Sequence, residues 1–444
     1  MVANPPRCAT NELPEISFLN LAARPKGWND ASLDLLWRYN LHYFDGRFDL
    51  VPRWIKENPK GSFPGWDAYP TSLRIVNWVK WLGQENNMPR ELRDIVLKSL
   101  KEQVGWLARH LEWHIMANHL LANLKALVIG EKYIGGDWIR WLKAYRAQIR
   151  EQILPDGGHF ERSVMYHAII FEDVLDVLRF CGDNAADLFP VAKRMLRYLV
   201  NMTGPDGKIV MFNDASDGIA KSTEWLCGYA KSIGIGVPSP EDFADFPDTG
   251  YTRVTAGDFI LFADTAPIGP DYQCGHAHAD TFTYELYCGG IKVVSDSGTS
   301  EYRGCRRSYE RSTAAHNVVE VNGRNSSEVW GSHRVGARAR IYCRQVTKER
   351  IYACHDGYGV RVSREFSLTP KGLSVVEHAP KNMRCVTRVH MPSNAESIVF
   401  VSMGNAHRSE CEIASEFGKV EKGICISAPF NGEFSYNIQK QGVL

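Results

Sequence analysis

The sequence lacks several features that mark common classes of protein. Its formal net charge is only +1 over 444 residues, so no strong overall field would attract nucleic acid or an anionic membrane. The 11 cysteines include no CxxC pair, which argues against a disulfide scaffold and against a thiolate zinc site. No apolar run is long enough to cross a bilayer, so we expect no membrane span. An anionic partner would therefore need a local basic site.

The start of the chain also lacks a leader pattern. Residues 1–8 contain no charged segment followed by an apolar one, as a secretory signal would. Two expectations for location stay open: the cytoplasm, or the periplasm or cell exterior if a leader has been removed.

The first 245 residues carry a helical pattern of apolar positions. Val96, Leu100, Val104, Leu107 and Leu111 recur at the spacing of one helix face. Comparable stretches lie at 70–85, 118–133, 136–152, 170–181, 187–203 and 217–233. Helices of similar length with short connections predict a stack or toroid of helical hairpins, and the absence of a fixed-period repeat argues against a regular solenoid.

The pattern changes near residue 240, after the Pro-rich stretch 237–242. Short β-prone runs follow, separated by the turn signals Gly289-Gly290, Asn322-Gly323 and Thr369-Pro370-Lys371-Gly372. This order predicts an α+β protein with a helical domain over 1–245 and an antiparallel β-sandwich over 246–444.

Four clusters of polar residues could carry chemistry. The first is Asn118-His119, which interrupts an apolar helical stretch. The alternative interpretation is a helix start, because Asn is a common N-cap, with His119 held by packing.

The second cluster is a Gly-rich loop, Asp156-Gly157-Gly158, that leads into a helix with Arg162, Tyr166 and other titratable groups. An ordinary loop with an aromatic anchor is an equally good explanation of this segment.

The third cluster is His276-Ala277-His278-Ala279-Asp280, with Asp296 after the next run. On a strand, His276 and His278 would face the same side. Two histidines and a carboxylate suit a metal such as zinc.

The fourth cluster, Arg306 to Asn317, holds Arg306, Arg307, Arg311 and His316. The three arginines could bind carboxylates or sulfates through two hydrogen bonds each, or could form a solvated face. His316 could complete a metal site with His278 and Asp296.

Together, in this order and spacing, the four clusters resemble the heparinase II/III-type polysaccharide lyases, over about residues 37–380 and most closely over 271–325. The resemblance implies an incomplete (α/α) toroid followed by an antiparallel β-sandwich, and activity on an acidic polysaccharide. The alginate lyases of the same clan are the nearest alternative.

The resemblance also assigns roles. It makes Asn118, His119, Tyr166 and His276 catalytic, and His278, Asp296 and His316 zinc ligands. Some members place a second tyrosine after the metal aspartate, for which Tyr302 and Tyr309 are both candidates. Arg162, Arg306, Arg307 and Arg311 are further predicted contacts for acidic groups of the substrate.

The chemistry explains why these groups are needed. In β-elimination a base removes the C5 proton of a uronate and an acid protonates the departing O4, while donors neutralise the carboxylate. Hydrolysis is a competing hypothesis, for which Asp156, Glu161 and Asp280 would have to supply two carboxylates. A glycan-binding protein without catalysis is the third.

Overall fold

The computed structural model describes residues 12–442, so Cys8 and the segment considered for a leader lie outside it. The chain divides into two compact units, residues 1–149 and 150–444. Within the described residues, no helix is both long and apolar enough to cross a membrane. The ten cysteines in this range are all free thiols.

Helices dominate the chain up to residue 232. They are α1 Leu35–Tyr43, α2 Val51–Glu57, α3 Ala68–Gln84, α4 Arg90–Leu107, α5 Ala117–Ile134, α6 Trp138–Gln152, α7 Val164–Cys181, α8 Phe189–Asn201 and α9 Thr223–Ser232, and a short α10, Cys305–Glu310, follows later. Each predicted helical stretch therefore contains a helix. Two bounds differ: α4 ends at Leu107, so Leu111 lies in a loop, and residues 217–222 form a loop before α9.

The helical pattern works because it marks one buried face. In α4, Val96, Leu100, Val104 and Leu107 are at most 1% exposed, while the lysines and glutamates of the same helix face away. The first unit also buries a cluster of aromatic side chains around Trp54, whose ring lies 4.0 Å from the guanidinium carbon of the buried Arg74.

The strands of the second unit are antiparallel. After a small hairpin of β1 Ile16–Phe18 and β2 Leu21–Ala23 in the first unit, they are β3 Phe243–Phe246, β4 Tyr251–Ala256, β5 Phe259–Asp264, β6 Tyr284–Cys288, β7 Ile291–Val294, β8 Val319–Val321, β9 Val329–Trp330, β10 Arg334–Val335, β11 Ile341–Val346, β12 Ile351–His355, β13 Val362–Thr369, β14 Gly372–His378, β15 Cys385–Pro392, β16 Val399–Met403, β17 His407–Glu416, β18 Lys419–Phe430 and β19 Glu433–Lys440.

These strands form three larger sheets and a short β9–β10 hairpin. The sheet orders are β3-β4-β5-β6-β7, β11-β12-β13-β14-β19-β16 and β17-β18-β15-β8. Buried side chains of the first sheet, such as Leu261 and Leu286, share one hydrophobic core with Phe366, Val375 and Ile438 of the second. This is the packing of a β-sandwich, as predicted from the order of the elements.

The predicted turns have mixed outcomes. Gly289 and Gly290 join β6 to β7 with φ of 59° and 83°, the positive values that a two-residue hairpin turn requires. Residues 369–372 likewise join β13 to β14. Asn322-Gly323 does form a tight turn, but β8 before it pairs with β15 and not with a following strand. The β8 pairing is long-range and has no local signal.

The change from helices to strands lies between Ser232 and Phe243, close to the predicted boundary at residue 245. The compact units instead divide at residues 149 and 150, so the second unit contains α7, α8 and α9 as well as the three sheets. The boundary of the two predicted domains stays a prediction.

Candidate active site

Asp214 is the centre of a polar cluster in the second unit, and the sequence reasoning missed it. It follows Asn213, whose φ of 57° is a left-handed value that Asn tolerates better than most residues. The Asp214 carboxylate is fully buried and accepts hydrogen bonds from His276, His278 and Arg307. The only signal in the sequence was a polar pair after the apolar run 209–212.

His276 is oriented by this carboxylate. Its Nδ1 lies 2.8 Å from Oδ2 of Asp214, and the backbone N–H of Asp214 donates to the His276 carbonyl at 3.0 Å. The other ring nitrogen, Nε2, lies 3.8 Å from the buried Glu161 carboxylate. The prediction that His276 and His278 share a strand is wrong, because residues 274–283 form a loop. Both rings nevertheless contact one carboxylate, since Nε2 of His278 lies 2.8 Å from Oδ1 of Asp214.

Tyr166 lies against His276. The two ring centroids are 3.9 Å apart, and the Tyr166 hydroxyl lies 2.9 Å from the Tyr302 hydroxyl. Tyr166 is in the first turn of α7, where the Ser163 hydroxyl caps the helix by accepting from the Tyr166 N–H at 3.2 Å. The same hydroxyl donates to the Asp214 carbonyl at 2.5 Å, so one side chain ties the start of α7 to the Asp214 segment.

The structure also separates the two candidates for a second tyrosine. Tyr302 joins the Tyr166–His276 pair, with its ring centroid 6.2 Å from that of His276. Tyr309 is 43% exposed. Partial burial of its ring, with a smaller effect of the nearby Cys425 and Cys411 thiols, raises the pKa of Tyr309 to about 12. Tyr302 is therefore the tyrosine that the fold places in the cluster.

Charge balance in the cluster depends on Arg307. Burial alone would raise the pKa of Asp214, but the Arg307 guanidinium and the hydrogen bonds from the two histidines outweigh it and hold that pKa well below its usual value. At His278 burial has the larger effect: it lowers the pKa of the ring to about 3, although the Asp214 carboxylate acts to raise that pKa. Asp214 is thus a carboxylate and His278 a neutral imidazole near pH 7.

His333 is a second residue that the sequence analysis missed. It lies in the β9–β10 turn, with its ring centroid 5.9 Å from that of His276 and 5.7 Å from that of Tyr302. Arg307 fixes this turn by donating through Nε to the Ser332 carbonyl at 2.9 Å. The turn is therefore tied to the same arginine that pairs with Asp214.

The predicted arginine contacts do not lie on one surface. Arg162, Arg307 and Arg311 are at most 9% exposed, and Arg162 and Arg311 donate to backbone carbonyls such as those of Thr249 and Ala277. Arg306 pairs with Glu412 at the surface. These positions do not support direct substrate contacts by the three buried arginines; their guanidinium groups instead hold loops around the cluster.

Asn118 and His119 lie in the first unit, in the first turn of α5. Asn118 is buried, and His119 places Nδ1 3.0 Å from Glu112 and its ring 4.5 Å from that of Tyr69. The two residues before Asn118 have φ of 64° and 48°, left-handed values that strain residues other than glycine. Such strain is often found at functional sites. The alternative of a helix start near Asn118, with His119 held by packing, is confirmed, because α5 begins at Ala117 and the His119 ring packs on Tyr69. Only the cap differs, because Met116 and not Asn118 occupies the N-cap position.

The predicted metal ligands lie beside Asp214. His316 Nδ1 is 3.0 Å from the Asp296 carboxylate, and the His278 and His316 rings are 5.4 Å apart, all fully buried. Nδ1 of His278 is buried with no hydrogen-bond partner. Among the described residues, a different set, Asp214, His276 and His333, brings three potential ligand atoms within 4.8 Å of one another. The Arg307 ion pair to Asp214 works against a cation there.

Comparison with known proteins agrees with this fold. Residues 53–232 match the Heparinase II/III N-terminus, and residues 238–401 match the Heparinase II/III-like, C-terminal family. A crystal structure of heparinase III superposes with a TM-score of 0.70 over 93% of this chain and 74% of that one, at 16% identity. This likeness confirms the predicted fold class, a helical region followed by antiparallel sheets.

Two curated proteins are also similar. They are heparin-sulfate lyases from Bacteroides stercoris, 21% identical over 243 residues, and from Bacteroides thetaiotaomicron, 20% identical over 351 residues. The matches cover 47% and 65% of this chain, but only 36% and 49% of those relatives. The fold joins a helical region to a β-sandwich, and the Tyr–His–Asp cluster takes Tyr166 and Asp214 from the helical part of the sequence and His276 from a loop between strands. The chain belongs to the heparinase II/III-like family.

Proposed function

We propose that this protein cleaves a uronic-acid-containing polysaccharide by β-elimination, leaving a 4,5-unsaturated uronate end. The observation that carries the proposal is the contact of the Tyr166 ring with His276, with the Tyr302 hydroxyl 2.9 Å from that of Tyr166. Two phenols and an imidazole are groups that can exchange protons with C5 and O4 of a sugar. The names of the similar lyases favour a glycosaminoglycan, such as heparan sulfate, chondroitin sulfate or hyaluronan, as the substrate.

In this proposal Tyr166 protonates the departing O4. The Asp214 carboxylate accepts the Nδ1–H of His276, so Nε2 is the ring atom that turns to the substrate. If the C5 proton and O4 lie on the same face of the sugar, Tyr166 performs both proton transfers: as the phenolate it takes the C5 proton and then gives that proton to O4, so it ends as it began. If they lie on opposite faces, His276 is the base.

The competing hydrolytic reaction has less support. The Asp156 carboxylate accepts hydrogen bonds from the N–H and hydroxyl of Thr249, which makes it part of a loop. Asp280 is 1% exposed and accepts from the Asn213 N–H at 3.1 Å. Neither carboxylate is placed to flank a glycosidic bond from solvent, as hydrolysis would require.

Zinc is a proposed structural component. Two imidazoles and a carboxylate suit its ligand preference, and the unpartnered Nδ1 of buried His278 is an atom that a metal could satisfy. His278, Asp296 and His316 would hold the ion, which would stiffen the loop that carries His276. The proton transfers proposed above do not pass through it.

The test is ultraviolet absorbance during incubation with heparan sulfate, heparin, chondroitin sulfates, hyaluronan and alginate. A rise from the new C4–C5 double bond, absent in Tyr166→Phe and kept in Tyr309→Phe, is the expected result. A rise with alginate alone would move the substrate to that class. New reducing ends without absorbance would mean hydrolysis, and binding without either product would mean a glycan-binding protein.

A further inference from the structure

A solvent-open cavity of about 510 Å³ lies in the second unit next to the Asp214 segment. Its walls include Lys208, Ser216, Asp217, Lys221, Trp225 and Glu416. Resting on the proposed function, we infer that this cavity binds an uncharged sugar residue of the polysaccharide, a hexose or N-acetylhexosamine, adjacent to the uronate that reacts.

Two segments of chain contribute residues both to the cavity and to the candidate active site. Asp214 directs its carboxylate to His276, whereas Ser216 and Asp217, two and three residues later, line the cavity. On the opposite wall, Glu416 lines the cavity, and the next residue, Phe417, places its ring 5.1 Å from that of Tyr302. A polymer whose uronate lies at Tyr302 can therefore place a neighbouring residue in the cavity.

A buried polar group in the cavity wall lacks a partner. Ser216 is 1% exposed, and its hydroxyl has no hydrogen-bond partner. An unpaired buried hydroxyl costs about 1–3 kcal/mol, so native proteins seldom keep one without a reason. A sugar hydroxyl would supply the missing partner.

Trp225 provides an apolar surface beside these polar groups. It is 46% exposed, and its ring packs against the edge of Tyr229 with the centroids 5.4 Å apart, while its backbone N–H donates to the Ser222 hydroxyl that caps α9. An exposed indole supported on one side by a second ring suits the C–H face of a pyranose ring. It would lose little conformational entropy on binding.

The charges of the cavity favour a neutral sugar. Two ammonium groups, of Lys208 and Lys221, stand against three carboxylates, of Asp206, Asp217 and Glu416. Burial raises the pKa of Asp217, against the opposing charge of Lys208, whose Nζ lies 3.6 Å away. The sum has no positive excess that could hold a second carboxylate or a sulfate. Carboxylates can instead accept hydrogen bonds from sugar hydroxyls, and ammonium groups can donate to them.

The test is saturation-transfer NMR on the full chain carrying Tyr166→Phe, which prevents cleavage. The probes are unsulfated tetrasaccharides from hyaluronan, chondroitin and heparosan, each alternating glucuronate with N-acetylhexosamine. We expect saturation of N-acetylhexosamine protons, reduced at least threefold by Trp225→Ala, partly restored by Trp225→Phe and unchanged by Phe400→Ala, an aromatic residue 55% exposed elsewhere in the unit. Ser216→Ala, a nearly isosteric change, should weaken binding severalfold without lowering the melting temperature.

Three results would overturn the inference: no saturation of any probe, saturation that is indifferent to Trp225, or a loss confined to glucuronate protons. Failure of the proposed function has a different signature. In that case the wild-type chain forms no unsaturated product from any glycan, while the Trp225-dependent saturation of N-acetylhexosamine persists.

Discussion

Oδ2 of Asp214 lies 2.8 Å from Nδ1 of His276, so a fully buried carboxylate fixes the ring of the histidine that we place at the substrate. The same carboxylate is paired with the buried Arg307 guanidinium, and its other oxygen lies 2.8 Å from His278. Asp214 thus connects the proposed catalytic histidine to a proposed metal ligand. This arrangement makes stability and turnover depend on one side chain.

Asp214→Asn should damage both properties. The amide cannot neutralise Arg307, and a buried charge left unpaired costs about 3–5 kcal/mol. Loss of the orienting carboxylate should also lower turnover by about 10–100-fold. Urea denaturation and the absorbance assay measure the two effects. Glu412→Gln is the matched control, because it breaks the half-exposed pair with Arg306 and should cost at most about 1 kcal/mol. Equal losses in the two variants would contradict the role of Asp214.

Removal of the hydroxyl should affect turnover at Tyr166 and Tyr302 but not at Tyr309. Tyr166→Phe should reduce turnover by about 100–10,000-fold while KM changes little, because the phenol acts in proton transfer. Tyr302→Phe should reduce turnover less, since its hydroxyl contacts that of Tyr166 and not the ring of His276 directly. Tyr309→Phe should behave like the wild type. Steady-state kinetics on the glycan that gives an absorbance rise measure these effects, and normal turnover in Tyr166→Phe would contradict its role as the acid.

Asn118→Ala tests the predicted role of the first turn of α5. An amide that donates a hydrogen bond to the substrate carboxylate stabilises the transition state by several kcal/mol, so turnover should fall by about 100-fold or more in the variant. Asn87→Ala, an exposed position in the same unit, is the control. A change in melting temperature with unchanged turnover would make Asn118 a structural residue only.

Much of this fold follows from local patterns. The spacing of Val96, Leu100 and Val104 predicts a helix because one face must be buried, and Gly289-Gly290 predicts a hairpin because its turn needs two positive φ values. The order of helices and strands then leads to the fold class. The resemblance brings Tyr166 and His276 into one site, and the structure places their rings in contact.

Local patterns do not predict contacts between side chains that are far apart in the sequence. Asp214 is 62 residues from His276 and 93 from Arg307, and nothing in its local sequence shows that a carboxylate there is enclosed by two histidines and an arginine. For the same reason the three arginines of residues 306–311 looked like a surface cluster. In α10 and the residue after it, Arg307 and Arg311 point inwards while Arg306 points to solvent.

Chelation tests the proposed zinc. Exhaustive dialysis against a chelator should lower the melting temperature by several degrees, and zinc should restore it, because a bound ion stabilises only the folded chain. Metal content measured by mass spectrometry should approach one zinc per chain and fall in His316→Ala. His407→Ala, at an exposed position, should keep its metal. An unchanged melting curve after complete metal removal would argue against a structural ion.

Stability should fall in mild acid because several buried histidines must stay neutral. Burial lowers the pKa of His42 to about 3, and the pKa values of His167 and His355 to about 4. In the unfolded chain these groups bind protons near pH 6.5, so the unfolded state gains protons first as the pH falls. Each histidine then removes about 1.4 kcal/mol of stability per pH unit between about 6.5 and its folded pKa, and contributes its full stabilisation above pH 6.5.

His167→Gln isolates the contribution of one histidine to the pH dependence of stability. His167 is fully buried and its Nε2 lies 3.0 Å from the Met195 carbonyl, a hydrogen bond that a glutamine amide can also donate. The free energy of unfolding, measured by urea at pH 7, 6 and 5, should fall less steeply in this variant, by about 1.4 kcal/mol per pH unit. His407→Gln, at an exposed site, should keep the wild-type slope. Parallel slopes in all three proteins would show that His167 is not held neutral by its burial.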